Sequence, residues 1–285
     1  MSEKSLQVQR FLLGIGAPRS GTTWIYHNLR LSSEVYMPPV KELRYFKNSR
    51  SLIGKFEHRE KTIKNIRIMD GDHDFLDRWT KTKDGDETKY SDLFGNKKFA
   101  GEITPVYSIM DCSEITKIYN ALAKQRVDVF YMIRNPLFRD VSQIIFAMHR
   151  QKKRLEPYSL KEYRDFVDTA AFLKRSQYQK NYEKWQSVFG ESVKIFYFDQ
   201  LLKKPKVFFK KFCENYDISY DSARVKGMKM NKSGDKNRFQ IKLPDELIAY
   251  LGERSIKNIE NSTLYRNKIK VKWTEEIRVK MAMMQ

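Results

Sequence analysis

Short apolar runs alternate along this chain with stretches of helical period, the pattern of a parallel sheet whose strands are joined by helices. Residues 11–15 read as a first strand and 23–31 as the helix that follows, with a second short strand expected at Val35-Tyr36-Met37 and stopped by Pro38-Pro39. From Asn48 to about Asp92 the period weakens and turn signals such as Asp70-Gly71-Asp72 and Asp84-Gly85-Asp86 accumulate, which predicts a helical or looped insert rather than sheet core. Order returns with a strand at 99–103, a helix over 113–123 and a strongly apolar strand at 127–133. Pro136 suits the first position of a helix running to about Arg150. Beyond it the pattern predicts one long helix over 172–188, a strand at 193–198 and a helix at 205–215, and the last forty residues read as helical and then irregular. The fold class expected is α/β, a central parallel sheet flanked by helices. At 285 residues the chain can be one domain carrying a variable insert at about 48–92.

Composition narrows this picture in three ways. With 41% hydrophobic and 13% aromatic residues, the chain is too apolar to be disordered. Its net charge is +20, and residues 151–285 alone hold 30 Lys+Arg against 17 Asp+Glu. Such a field favours anionic partners, whether a nucleotide, an acidic glycan or nucleic acid, and names none of them. Only Cys112 and Cys213 occur, without metal-ligand spacing, so neither a disulfide framework nor a zinc site is indicated and a reducing cytoplasm is expected. The first residues are too briefly apolar for a signal peptide, and no apolar run is long enough to span a bilayer.

The chemistry concentrates at Gly14-Ile-Gly-Ala-Pro-Arg-Ser-Gly-Thr-Thr-Trp24, a glycine-spaced turn between the first strand and its helix. Backbone N–H groups and the helix dipole converge there, as an anion requires. Gly16 and Gly21 have the spacing of a nucleoside-triphosphate loop, which makes the fold expected P-loop-like, a three-layer domain. The position where that loop carries lysine is Thr22, and the basic residue is Arg19, inside the turn. A second stretch, Arg134-Asn-Pro-Leu-Phe-Arg139-Asp-Val-Ser142, places Arg134 at the carboxyl end of a buried strand and Ser142 one to two turns into the next helix. Ligands bind at that edge of open parallel sheets, and a guanidinium and a hydroxyl can meet there on one phosphate.

Together these stretches resemble the sulfotransferases that use 3′-phosphoadenosine-5′-phosphosulfate (PAPS), the carbohydrate and heparan-type enzymes and related bacterial ones in particular. The resemblance implies that Arg19, Ser20, Gly21, Thr22, Thr23 and Trp24 hold the 5′-phosphosulfate, and that Arg134 and Ser142 hold the 3′-phosphate. Asn231-Lys232-Ser233-Gly-Asp-Lys-Asn-Arg238 is similar to the family's late nucleotide loop, which makes Lys232, Ser233 and Arg238 further candidates. Lys41-Glu42-Leu-Arg44-Tyr-Phe46 is similar to the Lys-Glu-x-x-Phe-Phe segment in which Glu is the general base, so Glu42 is the candidate base and Arg19 the group that stabilises the leaving phosphate. Glu102 in Gly101-Glu-Ile-Thr-Pro-Val-Tyr107 matches an acceptor-side segment and is read as an anchor. Ile103 stands where heparan-type enzymes often carry Lys. The implied activity moves the sulfuryl group of PAPS to a hydroxyl-bearing acceptor, an anionic glycan among them, releases the 3′,5′-bisphosphate PAP and needs no metal. A protein-tyrosine or small-molecule sulfotransferase, and a degenerate nucleotide kinase or NTPase, are the alternatives. No motif for specific nucleic-acid binding is present. His27, His58, His73 and His149 have no motif around them and read as surface or core residues.

Overall fold

The computed structural model describes residues 8–46, 68–69, 71–82, 85–150, 158–225 and 243–283, the side chains of His149 and Arg150 excepted. The described residues within Met1–Ala17, Gly21–Met132 and Tyr182–Met228 form one compact unit, and those within Pro18–Ser20, Ile133–Asn181 and Lys229–Gln285 form another. Among the described residues, no helix is long and apolar enough to cross a membrane.

The first unit holds the sheet. Strands β1 (Arg10–Gly16), β2 (Phe99–Ile103), β3 (Arg126–Ile133) and β4 (Val193–Tyr197) lie in the order β2-β1-β3-β4, with β1 parallel to both of its neighbours. This is the expected α/β architecture, a parallel sheet flanked by helices. Alternation along the strands explains why both faces are covered. Leu12, Phe130 and Met132 join a cluster with α1 (Thr22–Leu29) and with Phe208, Phe209 and Phe212 of a later helix, Pro205–Glu214. The residues between them, Phe11, Leu13, Val129 and Tyr131, are fully buried too, and Phe11 meets Phe94 edge-on at 4.9 Å. A side chain at Gly14 would have no room, since a Cβ there would stand 2.5 Å from Cζ of Phe130.

The segment at 35–37 forms one parallel bridge, Tyr36 to Ala100, rather than a strand. Of the insert at 48–92, the described part contains helix α2 (His73–Lys81) and a short 3-10 turn at Ser91–Phe94. Asp72, immediately before α2, is fully buried and clasps Arg30 at the end of α1 through two hydrogen bonds of 2.9 and 2.7 Å.

The second unit is helical. Its α3 (Pro136–Arg150) carries Asp140, buried, which accepts from Nε of Arg139 at 2.9 Å and from Ser176 Oγ, and lies 3.5 Å from Arg254. The single helix expected over 172–188 is two, Ala170–Lys174 and Tyr178–Phe189. The break has a cause: Ser176 turns inward to Asp140, and the Asn181 side chain donates to the Lys174 carbonyl at 2.7 Å. The chain end is also more regular than its pattern predicts. Helices run over Asp245–Glu260 and Asn267–Ala282, the second anchored by fully buried Trp273 and Ile277.

Candidate functional site

Within the second unit, residues far apart in sequence meet at Arg19. Its Nε donates to Ser142 Oγ at 3.1 Å, its carbonyl accepts from Nη1 of Arg134 at 3.3 Å, and its guanidinium carbon lies 4.7 Å from the centre of the Phe146 ring. Arg19 and the Arg134–Ser142 stretch, far apart in sequence, are therefore in contact. Arg19 has φ of 69°, a left-handed conformation that a side-chain-bearing residue adopts at a cost of about 1 kcal/mol or more. Ser20 beside it is fully buried, and its hydroxyl has no hydrogen-bond partner among the described residues. Asn135 shapes the turn into α3: its side chain accepts from the Leu137 N–H at 3.2 Å and donates to the Trp273 carbonyl at 3.3 Å. Arg139, the second arginine of that stretch, is sealed in the core with Asp140 and does not join Arg19.

In the first unit the loop continues into α1. Gly21 occupies the cap position at φ 83°, where a Cβ would meet Leu201 and Phe198 at 2.8 Å, so a backbone-only residue fits here. The first turn of α1 has no acidic residue of its own and no side-chain cap. Thr22 is buried, Thr23 is half-buried, and Trp24 packs edge-on against Phe209 at 5.5 Å.

The Lys41–Phe46 segment of the same unit is fastened to the end of β2. The N–H groups of Arg44 and Phe46 donate to Thr104 Oγ1 at 3.4 Å and to the Tyr107 hydroxyl at 3.3 Å. Glu42, at φ 62°, is gripped by Lys41 at 2.6 Å and by Arg44 at 2.9 Å. Burial pushes its carboxyl up, but the two cations outweigh burial and hold it below the ordinary carboxylate value. Glu102, in contrast, is fully buried and accepts from the Tyr90 hydroxyl at 2.7 Å. That phenol is pushed far up by burial first and by Glu102 second.

Lys232, Ser233, Arg238 and His58 lie outside the described residues, and His27 and His73 are exposed. Among the described residues no group of three or more His, Cys, Asp or Glu could hold a metal ion. Sequence reasoning passed over Phe146, although its distance of four residues from Ser142 puts the two on one helix face.

No family model and no curated protein matches the sequence. Solved structures do match. A sulfotransferase from Alicyclobacillus acidocaldarius superposes with a TM-score of 0.58 at 19% identity, over 89% of this chain and 94% of that one. The chain has the sulfotransferase fold. The sulfotransferase domain of the Synechococcus PCC 7002 olefin synthase is similar at 15% identity and a TM-score of 0.47, over 98% and 97% of the two chains. Mouse SULT7A1, whose structure is complexed with PAP, is similar at 10% identity and 0.49, over 94% and 89%. At such identities the likeness to the sulfotransferase fold is one of architecture, and what the chain does has to be argued from its residues.

Proposed function

We propose that this chain transfers the sulfuryl group of PAPS to an acceptor hydroxyl. The observation that carries the reading is the meeting of Arg19, Arg134 and Ser142 around one loop, at the carboxyl end of a parallel strand on a sulfotransferase fold. The donors suit the molecule. Two guanidinium groups, the Ser142 hydroxyl and a Ser20 hydroxyl that has no partner among the described residues all favour anionic oxygens.

In this reading Arg19, Ser20 and the backbone from Gly21 to Trp24 hold the 5′-phosphosulfate, while Arg134 and Ser142 select the 3′-phosphate. Lys232, Ser233 and Arg238 are assigned to the same phosphate from the sequence. Bound PAPS supplies an activated sulfuryl group. Arg19 stabilises negative charge on the phosphate oxygen that departs, and it does so from a side chain already fixed by Ser142 and Phe146. Glu42 takes the proton of the acceptor hydroxyl. An NTPase reading has less support, because Thr22 is buried where lysine would reach the phosphates and β3 runs into Arg134 rather than a carboxylate for magnesium.

Incubation with labelled PAPS and a broad panel of hydroxyl acceptors, glycans and tyrosyl peptides included, tests the activity. Calorimetric titration with PAP tests the nucleotide site without needing the acceptor. PAP should bind, and Arg134→Ala should weaken it; a protein that binds neither PAP nor PAPS overturns the reading.

A further inference from the structure

The ring of Phe146 has no part in the proposed chemistry, yet it lies under the residue that does most of it. Phe146 and Ser142 are four residues apart on α3, and together they form a two-point cradle: the serine hydroxyl takes Nε of Arg19, and the ring faces its guanidinium carbon at 4.7 Å. A guanidinium is planar and weakly hydrated, and its face stacks on an aromatic ring while its edge hydrogen-bonds; a lysine ammonium has no plane to fix. We infer that Phe146 is a positioning residue that sets the plane of Arg19, and that this ring is why the loop carries arginine rather than lysine. The inference rests on the proposed nucleotide site.

The backbone supports it. Arg19 is held in a left-handed conformation with its carbonyl tied to Arg134, so the start of its side chain is set by the loop while Ser142 and Phe146 set its end. A long side chain fastened at both ends has little rotamer entropy left to lose when it meets an anion. Phe146 is only half-buried, so replacing it should not empty the core.

The test is a double-mutant cycle read by PAP affinity. Phe146→Leu should raise the Kd for PAP by about 5- to 30-fold, the range expected of a partly desolvated cation–ring contact. Phe146→Tyr, which keeps a ring face, should restore affinity to within about 3-fold of the unmodified protein. In an Arg19→Lys background, Phe146→Leu should cost about 2-fold or less, because the plane it acts on is gone. Phe146→Met provides a second ringless variant, and circular dichroism confirms that each variant is folded. Equal losses from Phe146→Leu with Arg19 intact and in the Arg19→Lys background, or full affinity in both ringless variants, would overturn the inference and leave the proposed function standing. Failure of the unmodified protein to bind PAP overturns both.

Discussion

As the proposed base, Glu42 would have to reconcile two demands: a base must be ionised to receive a proton, and it must be basic enough to attract one. Lys41 and Arg44 serve the first demand at the expense of the second, since they hold the carboxyl below its ordinary value despite partial burial. A group with a lowered pKa stays charged as the solution is acidified, so the acid limb of the rate profile should lie below pH 4.5, the ordinary value for Glu. Replacing both cations, Lys41→Ala with Arg44→Ala, should move that limb to higher pH, and a profile of kcat/KM against pH measures it. Glu42→Gln should lower kcat by about 100-fold or more while leaving the Kd for PAP unchanged, the signature of a proton acceptor outside the nucleotide site. Arg134→Ala should instead raise the Kd for PAP by about 10- to 100-fold, as expected for a lost charge-assisted hydrogen bond. Opposite behaviour, with Glu42→Gln weakening PAP and Arg134→Ala leaving it intact, would reverse the assignment of the two residues.

At the level of elements, the clasp between α1 and the start of α2 makes the clearest stability prediction. Arg30 forks onto Asp72, which also accepts from the Met69 N–H at 2.7 Å and the Tyr36 hydroxyl at 3.2 Å. Asp72→Asn leaves a largely buried guanidinium without its counter-charge and should destabilise the protein by about 3–5 kcal/mol, measured by denaturant unfolding. Burial raises the Asp72 carboxyl and its hydrogen bonds with Arg30 and Met69 more than reverse this, so its pKa in the folded protein is below the ordinary 3.8. The sign follows: the clasp contributes fully above pH 3.8 and is lost as pH falls through the lowered value, so Asp72→Asn should flatten the acid limb of the stability curve. None of this was readable in the chain, because Asp72 sits in a stretch without period and its partner is 42 residues away. The same limit explains the helix broken at Ser176, whose reason is a contact with Asp140 across 36 residues. What could be read was local or carried by type: the strands at Phe11 and Val127, the glycine turn that Gly21 needs, Pro136 opening a helix, and the paired Arg19 and Arg134 stretches. Phe146 lay in between, since its spacing from Ser142 was visible but the guanidinium above its ring was not.

For the molecule as a whole, the net charge of +20 and the proposed nucleotide site would make separate contributions that salt can distinguish. A long-range field raises the rate at which an anion arrives, whereas contacts such as those offered by Arg19 and Arg134 govern how long it stays. Screening acts first on the field, because the Debye length shrinks from about 30 Å at 0.01 M to about 10 Å at 0.1 M, while a direct ion pair is only a few ångströms long. Raising KCl across that range should therefore slow association of PAP by several-fold and change its dissociation rate much less, as stopped-flow tryptophan fluorescence, with Trp24 in the first turn of α1, would read. Arg19→Ala should do the converse, speeding dissociation at every salt concentration with little change in the salt dependence of arrival. Nucleic acid provides the control, because a protein that binds duplex only through dispersed charge loses affinity steeply and without regard to sequence as salt rises. If PAP behaved in the same way, with its affinity collapsing over this range and Arg19→Ala making no difference, the charge would be the binding determinant and the loop would not.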